Sequence, residues 1–121
     1  MRSLGLALAV GAALVAGGCG GDDDELELPQ VDCDSGEIPG YGEVEAFTAC
    51  TVCHASNRTG GQRNGAPDEH NFDTYASAIH EPEEVAHLVY AGAMPPPDSG
   101  LTLSEDEKQQ LYRWALCGTP E

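Results

Sequence analysis

The chain has 121 residues, of which 40% are hydrophobic and only two are Phe and one Trp, so it can build one small domain with a thin core. Its 21 acidic residues against five basic ones give a net charge of −16. Such a surface repels phosphate backbones and anionic lipid, which excludes nucleic-acid and membrane-surface binding, and it favours a partner protein with a basic docking patch, against the alternative that the acidity only keeps the protein soluble.

Residues 1–18 read as a signal peptide. Arg2 provides a basic start, an apolar run extends from Leu4 to Val15, and the small residues Ala16, Gly17 and Gly18 precede Cys19. The apolar run is too short to span a bilayer, which takes about 20 apolar residues. The segment resembles a bacterial lipoprotein signal, in which the cysteine after small residues becomes the lipidated N-terminus. It departs from that pattern at Ala16, where Leu is usual, and an ordinary cleaved signal with a stray Cys19 thiol is the competing reading. Residues 19–32 are expected to form the lipidated terminus and a disordered acidic tether, because the Asp22-Asp23-Asp24-Glu25 run has nothing to bury. Residues 33–121 then form the folded domain.

A first helix is expected over about Glu43 to His54, with Val44 and Phe47 on one side. At its end stands Cys50-Thr51-Val52-Cys53-His54, the C-x-x-C-H spacing of covalent haem attachment. Positions three apart share a helix face, so two sulfurs can form thioethers along one porphyrin edge. The adjacent imidazole can then reach the iron. A zinc site would need further soft ligands, and no second C-x-x-C exists. A thioredoxin-like pair would need a βαβ surrounding, which the pattern lacks. A chance match is the remaining alternative.

On this motif the chain resembles the small bacterial single-haem c-type cytochromes, over roughly Tyr41 to Thr119. The resemblance implies an all-α fold of about four short helices wrapped around one covalent haem c, rich in loops. It also implies a backbone carbonyl near a Gly/Pro turn that accepts from the proximal histidine. Gly65-Ala66-Pro67 is the candidate turn and Pro67 the candidate carbonyl, against the reading that Pro67 only stiffens the loop.

A second helix is expected over about Asp73 to Ile79, with Asp73 as N-cap and Tyr75 and Ile79 four apart. A third opens at Pro82, with Glu83 and Glu84 at its positive end. It ends near Gly92, and Met94 follows on a stiff loop, Met94-Pro95-Pro96-Pro97. Met94 is the only thioether beyond Met1. In the resembled family the axial methionine commonly precedes proline after a short helix, so His54 and Met94 are the expected axial ligands. His70, His80 and His87 are the runners-up, and a packed core methionine is the competing role for Met94.

A fourth helix starts at Ser104, with Glu107 completing a capping box and Leu111, Trp114 and Ala115 on one face. It stops at Gly118-Thr119-Pro120. No alternating pattern argues for strands. With lipid on Cys19 and haem on Cys50 and Cys53, Cys33 and Cys117 remain. An oxidising compartment would pair them, stabilising by about 4 kcal/mol, against the alternative of two free thiols. The resemblance implies that the first and last helices cross, so Phe47 would meet Trp114 and Cys33 would approach Cys117.

The function expected is electron transfer by an exported carrier, held in the bacterial periplasm by its lipid anchor, with redox proteins as partners and no small-molecule substrate. The resemblance to lipoproteins implies sorting to the outer membrane, since Gly20 rather than an acidic residue follows Cys19, with the inner membrane as the alternative. Two alternatives stand beside it. One is a haem-bearing subunit of a larger respiratory or dehydrogenase complex. The other, if the sixth iron position is open, is a peroxidase or gas-binding protein.

Overall fold

The computed structural model describes residues 25–121. The signal peptide, Cys19 and the start of the acidic run lie outside the described residues. Among the described residues the protein is all-α, with no strand and no helix long and apolar enough to cross a membrane. The helices are α1 (Ala46–Cys50), α2 (Tyr75–Ala78), α3 (Pro82–Tyr90) and α4 (Glu105–Leu116). Short 3₁₀ turns lie at Tyr41–Glu43, before α1, and at Gly60–Arg63, between α1 and α2.

α4 is the axis of the fold and packs on both α1 and α3. Its start is fixed as the sequence predicts. Ser104 Oγ accepts from the Glu107 amide at 3.2 Å, and the Glu107 carboxylate accepts from the Ser104 amide at 2.6 Å. Leu111 and Trp114 are fully buried. The Trp114 ring meets Phe47 edge-on, with centroids 5.1 Å apart at 89°, and Phe72 stacks on the other side of Phe47 at 5.6 Å. The predicted meeting of Phe47 and Trp114 is therefore observed. The C-terminal tail closes over this cluster: the Pro120 carbonyl accepts from Trp114 Nε1 and from the Tyr41 amide, both at 2.9 Å.

The Cys33–Cys117 disulfide is formed, joining residues 84 apart in sequence. Arg113 anchors the same region, its guanidinium donating to the carbonyls of Asp32, Ser35 and Glu37 at 2.6–3.2 Å. Of the segment expected to be a disordered tether, residues 19–32, the described part is packed: Leu28 and Val31 lie against the core and Pro29 is buried. The Glu27 carbonyl lies 2.9 Å from His87 Nδ1. Three apolar residues among the acidic ones suffice to dock the segment.

Two helices are shorter than expected. Val44 takes an extended backbone (φ −80°, ψ 93°) with its side chain in the core, which splits the predicted first helix into a 3₁₀ turn and α1. In the second helix the cap is Thr74, whose Oγ1 accepts from the Ser77 amide at 3.2 Å. Asp73 is engaged elsewhere: its carboxylate accepts from the Ser56 amide at 3.1 Å and from the Ser56 hydroxyl at 2.5 Å. Ala78 rather than Ile79 faces the core as a result. α3 opens at Pro82 as predicted and ends in a left-handed Gly92 (φ +76°), a conformation that costs glycine no steric strain.

Candidate functional site

A cleft of about 160 Å³, open to solvent on one side, lies beside the aromatic cluster. From the end of α1 it is lined by Ala49, Cys50, Cys53 and His54, and from the following loop by residues 63–67, His70 and Phe72. Glu84, Val85, Leu88 and Val89 of α3 contribute next. Met94, Pro95, Pro96, Leu101 and Leu103 complete it. All five residues assigned to the cofactor from sequence, Cys50, Cys53, His54, Met94 and Pro67, thus line one cavity.

The C-x-x-C-H segment continues α1 as a tight turn. The Thr51 amide donates to the Phe47 carbonyl at 2.9 Å, and the His54 amide to the Cys50 carbonyl at 2.8 Å. The turn brings both sulfurs and the imidazole into one wall. Cys50 is closely surrounded, and burial pushes its thiol up to about 12. Such a thiol stays protonated at neutral pH, the opposite of the low-pKa cysteine of a dithiol redox site.

His54 is half-buried and turned by two neighbours. Phe72 stands edge-on to its ring at 5.2 Å, and Nδ1 lies 2.9 Å from the His70 carbonyl oxygen. With Nδ1–H donating there, Nε2 carries the lone pair and is the nitrogen available for a metal. Burial is the main cause that lowers the His54 pKa. The Arg63 charge adds to the lowering, while the hydrogen bond to His70 opposes it. A neutral imidazole, the form a metal requires, is favoured.

The acceptor for His54 is thus His70, and the expectation for Pro67 is corrected. The Pro67 carbonyl is occupied by Arg63 Nη2, and Pro67 itself is exposed at the rim. The Gly65-Ala66-Pro67 turn points its carbonyls at the arginine instead. Asn64 (φ +49°) and Gly65 (φ +83°) are both left-handed, which reverses the chain and brings the carbonyls of Ala66 and Pro67 back onto Arg63.

Met94 is half-buried against the core, and its amide donates to the Leu88 carbonyl at 3.1 Å. The alternative histidines are disposed differently. His87 faces the Glu27 carbonyl and His80 lines a neighbouring crevice, so neither borders the cleft. His70 borders it, beside the imidazole that its own carbonyl holds.

The residue that sequence reasoning missed is Arg63, the only buried charged side chain among the described residues. Its sequence signal was weak: one of five basic residues, set in a polar glycine-rich loop that reads as solvent-exposed.

Comparison of the chain with protein-family models, with curated proteins and with solved structures returns no match. The chemistry of the site therefore rests on its own residues. Two thiols, an imidazole with Nε2 free and a thioether around an apolar cleft suit one covalently attached haem: sulfurs for its vinyl edge, nitrogen and sulfur for its iron.

Proposed function

We propose that the protein is a c-type cytochrome that carries single electrons between redox proteins. The observation that carries this reading is the gathering of Cys50, Cys53, His54 and Met94 around one apolar cleft. Cys50 and Cys53 would hold the haem as thioethers, and His54 Nε2 and the Met94 sulfur would fill its axial positions. Bound there, haem supplies one-electron exchange at iron. The His70 carbonyl holds the orientation of the His54 ring, which would present Nε2 to the group in one fixed orientation. Val85, Leu88, Val89 and Leu103 would supply apolar contacts to it, and thioether ligation would raise the potential relative to a second imidazole. One competing reading lacks support. The strongly raised Cys50 pKa does not suit a dithiol redox pair.

The same reading places the protein in the bacterial periplasm, tethered by lipid on Cys19, with partners that present a basic patch to its acidic surface. Loss of membrane retention in Cys19→Ser would support the anchor, and unchanged retention would remove it.

The test of the main reading has two parts. The parent should retain haem after denaturation, and the Cys50→Ala/Cys53→Ala double variant should retain none. Stable covalent haem in that variant would sink the attachment. The ferric parent should also show the weak far-red charge-transfer band of iron–methionine ligation, and Met94→Ala should lose it. A high-spin parent that binds carbon monoxide at once on reduction would favour an enzyme or a gas-binding protein instead.

A further inference from the structure

Arg63 is 3% exposed, and a lone buried cation is costly unless its donors are satisfied. Here all the nitrogens of the fork point at backbone carbonyls. Nε donates to Ala66 at 3.0 Å, and Nη1 to Ala55 at 2.9 Å and to Arg58 at 3.5 Å. Nη2 donates to Pro67 and, at 3.3 Å, to His70. One side chain therefore gathers five carbonyls from residues 55–70, the loop that leads away from the C-x-x-C-H turn. The carboxylate paired with it, Asp68, lies 3.4 Å from Nε on a side chain 93% exposed, so water screens most of its charge.

The last of these contacts reaches the site. The His70 carbonyl oxygen accepts from both Arg63 Nη2 and His54 Nδ1. An oxygen that already accepts from a guanidinium is a weaker acceptor for the imidazole N–H. The imidazole then gains less anionic character and donates less to a metal at Nε2. The buried positive charge acts in the same direction, because it disfavours an added charge on a nearby iron.

We infer that Arg63 is a positioning residue that sets the donor strength of His54 through their shared His70 carbonyl and so holds the site at a raised reduction potential. This rests on the haem reading above. No donor of the fork is left over for a substituent of the cofactor, so the effect runs through the backbone and the charge and not through direct contact.

The experiment compares the haem-loaded parent with Arg63→Gln, Arg63→Lys and Asp68→Asn by redox titration at low ionic strength, with covalent haem measured after denaturation in each. Arg63→Gln removes the charge and the fork. It should shift the ferric–ferrous equilibrium about tenfold toward ferric, or about 59 mV for a one-electron couple. Arg63→Lys keeps the charge but cannot reach five carbonyls, and it should shift the equilibrium the same way by about threefold. Asp68→Asn should shift it the opposite way, by less than about twofold, since the carboxylate that offsets Arg63 is removed. A merely structural arginine would lower the melting temperature of the two Arg63 variants and leave the potential of whichever folds unchanged. That result overturns the inference. Should neither Arg63 variant fold, Asp68→Asn decides, and a potential equal to or below the parent's overturns it. Absence of covalent haem in the parent would instead count against the haem reading itself.

Discussion

α4 and its neighbours hold together through side chains packed on side chains, whereas the loop wall of the cleft is tied together through one buried guanidinium. On the α4 side, Leu111 and Trp114 are fully buried, the capping box fixes the helix start, and Arg113 and the Cys33–Cys117 disulfide fasten the entering chain. On the cleft side, residues 55–72 contain only the short 3₁₀ turn, and their carbonyls converge on Arg63. The first region is the small hydrophobic core. The second is a shaped wall that spends its polar groups on orienting His54. A domain with so few large apolar residues can do both because it separates them. Buried apolar side chains are concentrated around Trp114, and the loop is left to shape the cleft.

The contrast is broken most severely by removing the group that would join the two sides. In the Cys50→Ala/Cys53→Ala variant, amide hydrogen exchange should rise by several orders of magnitude over residues 55–72 and the loop carrying Met94. α4 should remain the slowest-exchanging element. Uniform loss of protection would mean the α4 side has no independent stability. Next in size, Trp114→Ala should destabilise the protein by about 3–5 kcal/mol in urea, because it empties the centre of the aromatic cluster. Replacing Cys33 and Cys117 together by Ala should cost about 2–4 kcal/mol. If the protein carries haem as proposed, the positions and intensities of the haem absorption bands should be unchanged in this variant, since the disulfide is fastened to α4 and not to the cleft.

Legibility from the sequence follows the same division. α3 and α4 were readable because their signals are local: Pro82 and the acidic first turn of α3, and the Ser104/Glu107 box with the Leu111–Trp114–Ala115 face of α4. The four ligand candidates were readable because their spacing or scarcity carries chemistry, and the structure brings them to one cleft. The pairing of Cys33 with Cys117 came from counting. What stayed hidden depends on contacts between residues distant in sequence or on backbone reversal. Asp73 looks like a helix cap until Ser56, 17 residues earlier, is seen to occupy it. Pro67 looks like the acceptor for His54 until the left-handed Asn64-Gly65 pair turns its carbonyl toward Arg63. The tether looks disordered because its acidic residues outnumber the few apolar ones that dock it, Leu28 and Val31.

The Asp73–Ser56 pair offers the smallest and most specific test, because it is a polar tie between the loop wall and the start of α2. The Ser56 hydroxyl and amide both donate to the Asp73 carboxylate, and they hold its pKa below the ordinary value of 3.8. A carboxyl group with a depressed folded-state pKa binds its proton more readily in the unfolded chain. Its contribution to stability is therefore present above about pH 4 and is lost as the pH falls through the folded-state value. The carboxylate is exposed, so the effect should be less than about 1 kcal/mol. Urea unfolding of the parent and of Asp73→Asn should show the parent more stable at about pH 6, with the gap shrinking steadily on acidification. A gap that stays constant with pH would mean that packing around the loop, rather than the ionised hydrogen bond, holds residue 56 against residue 73.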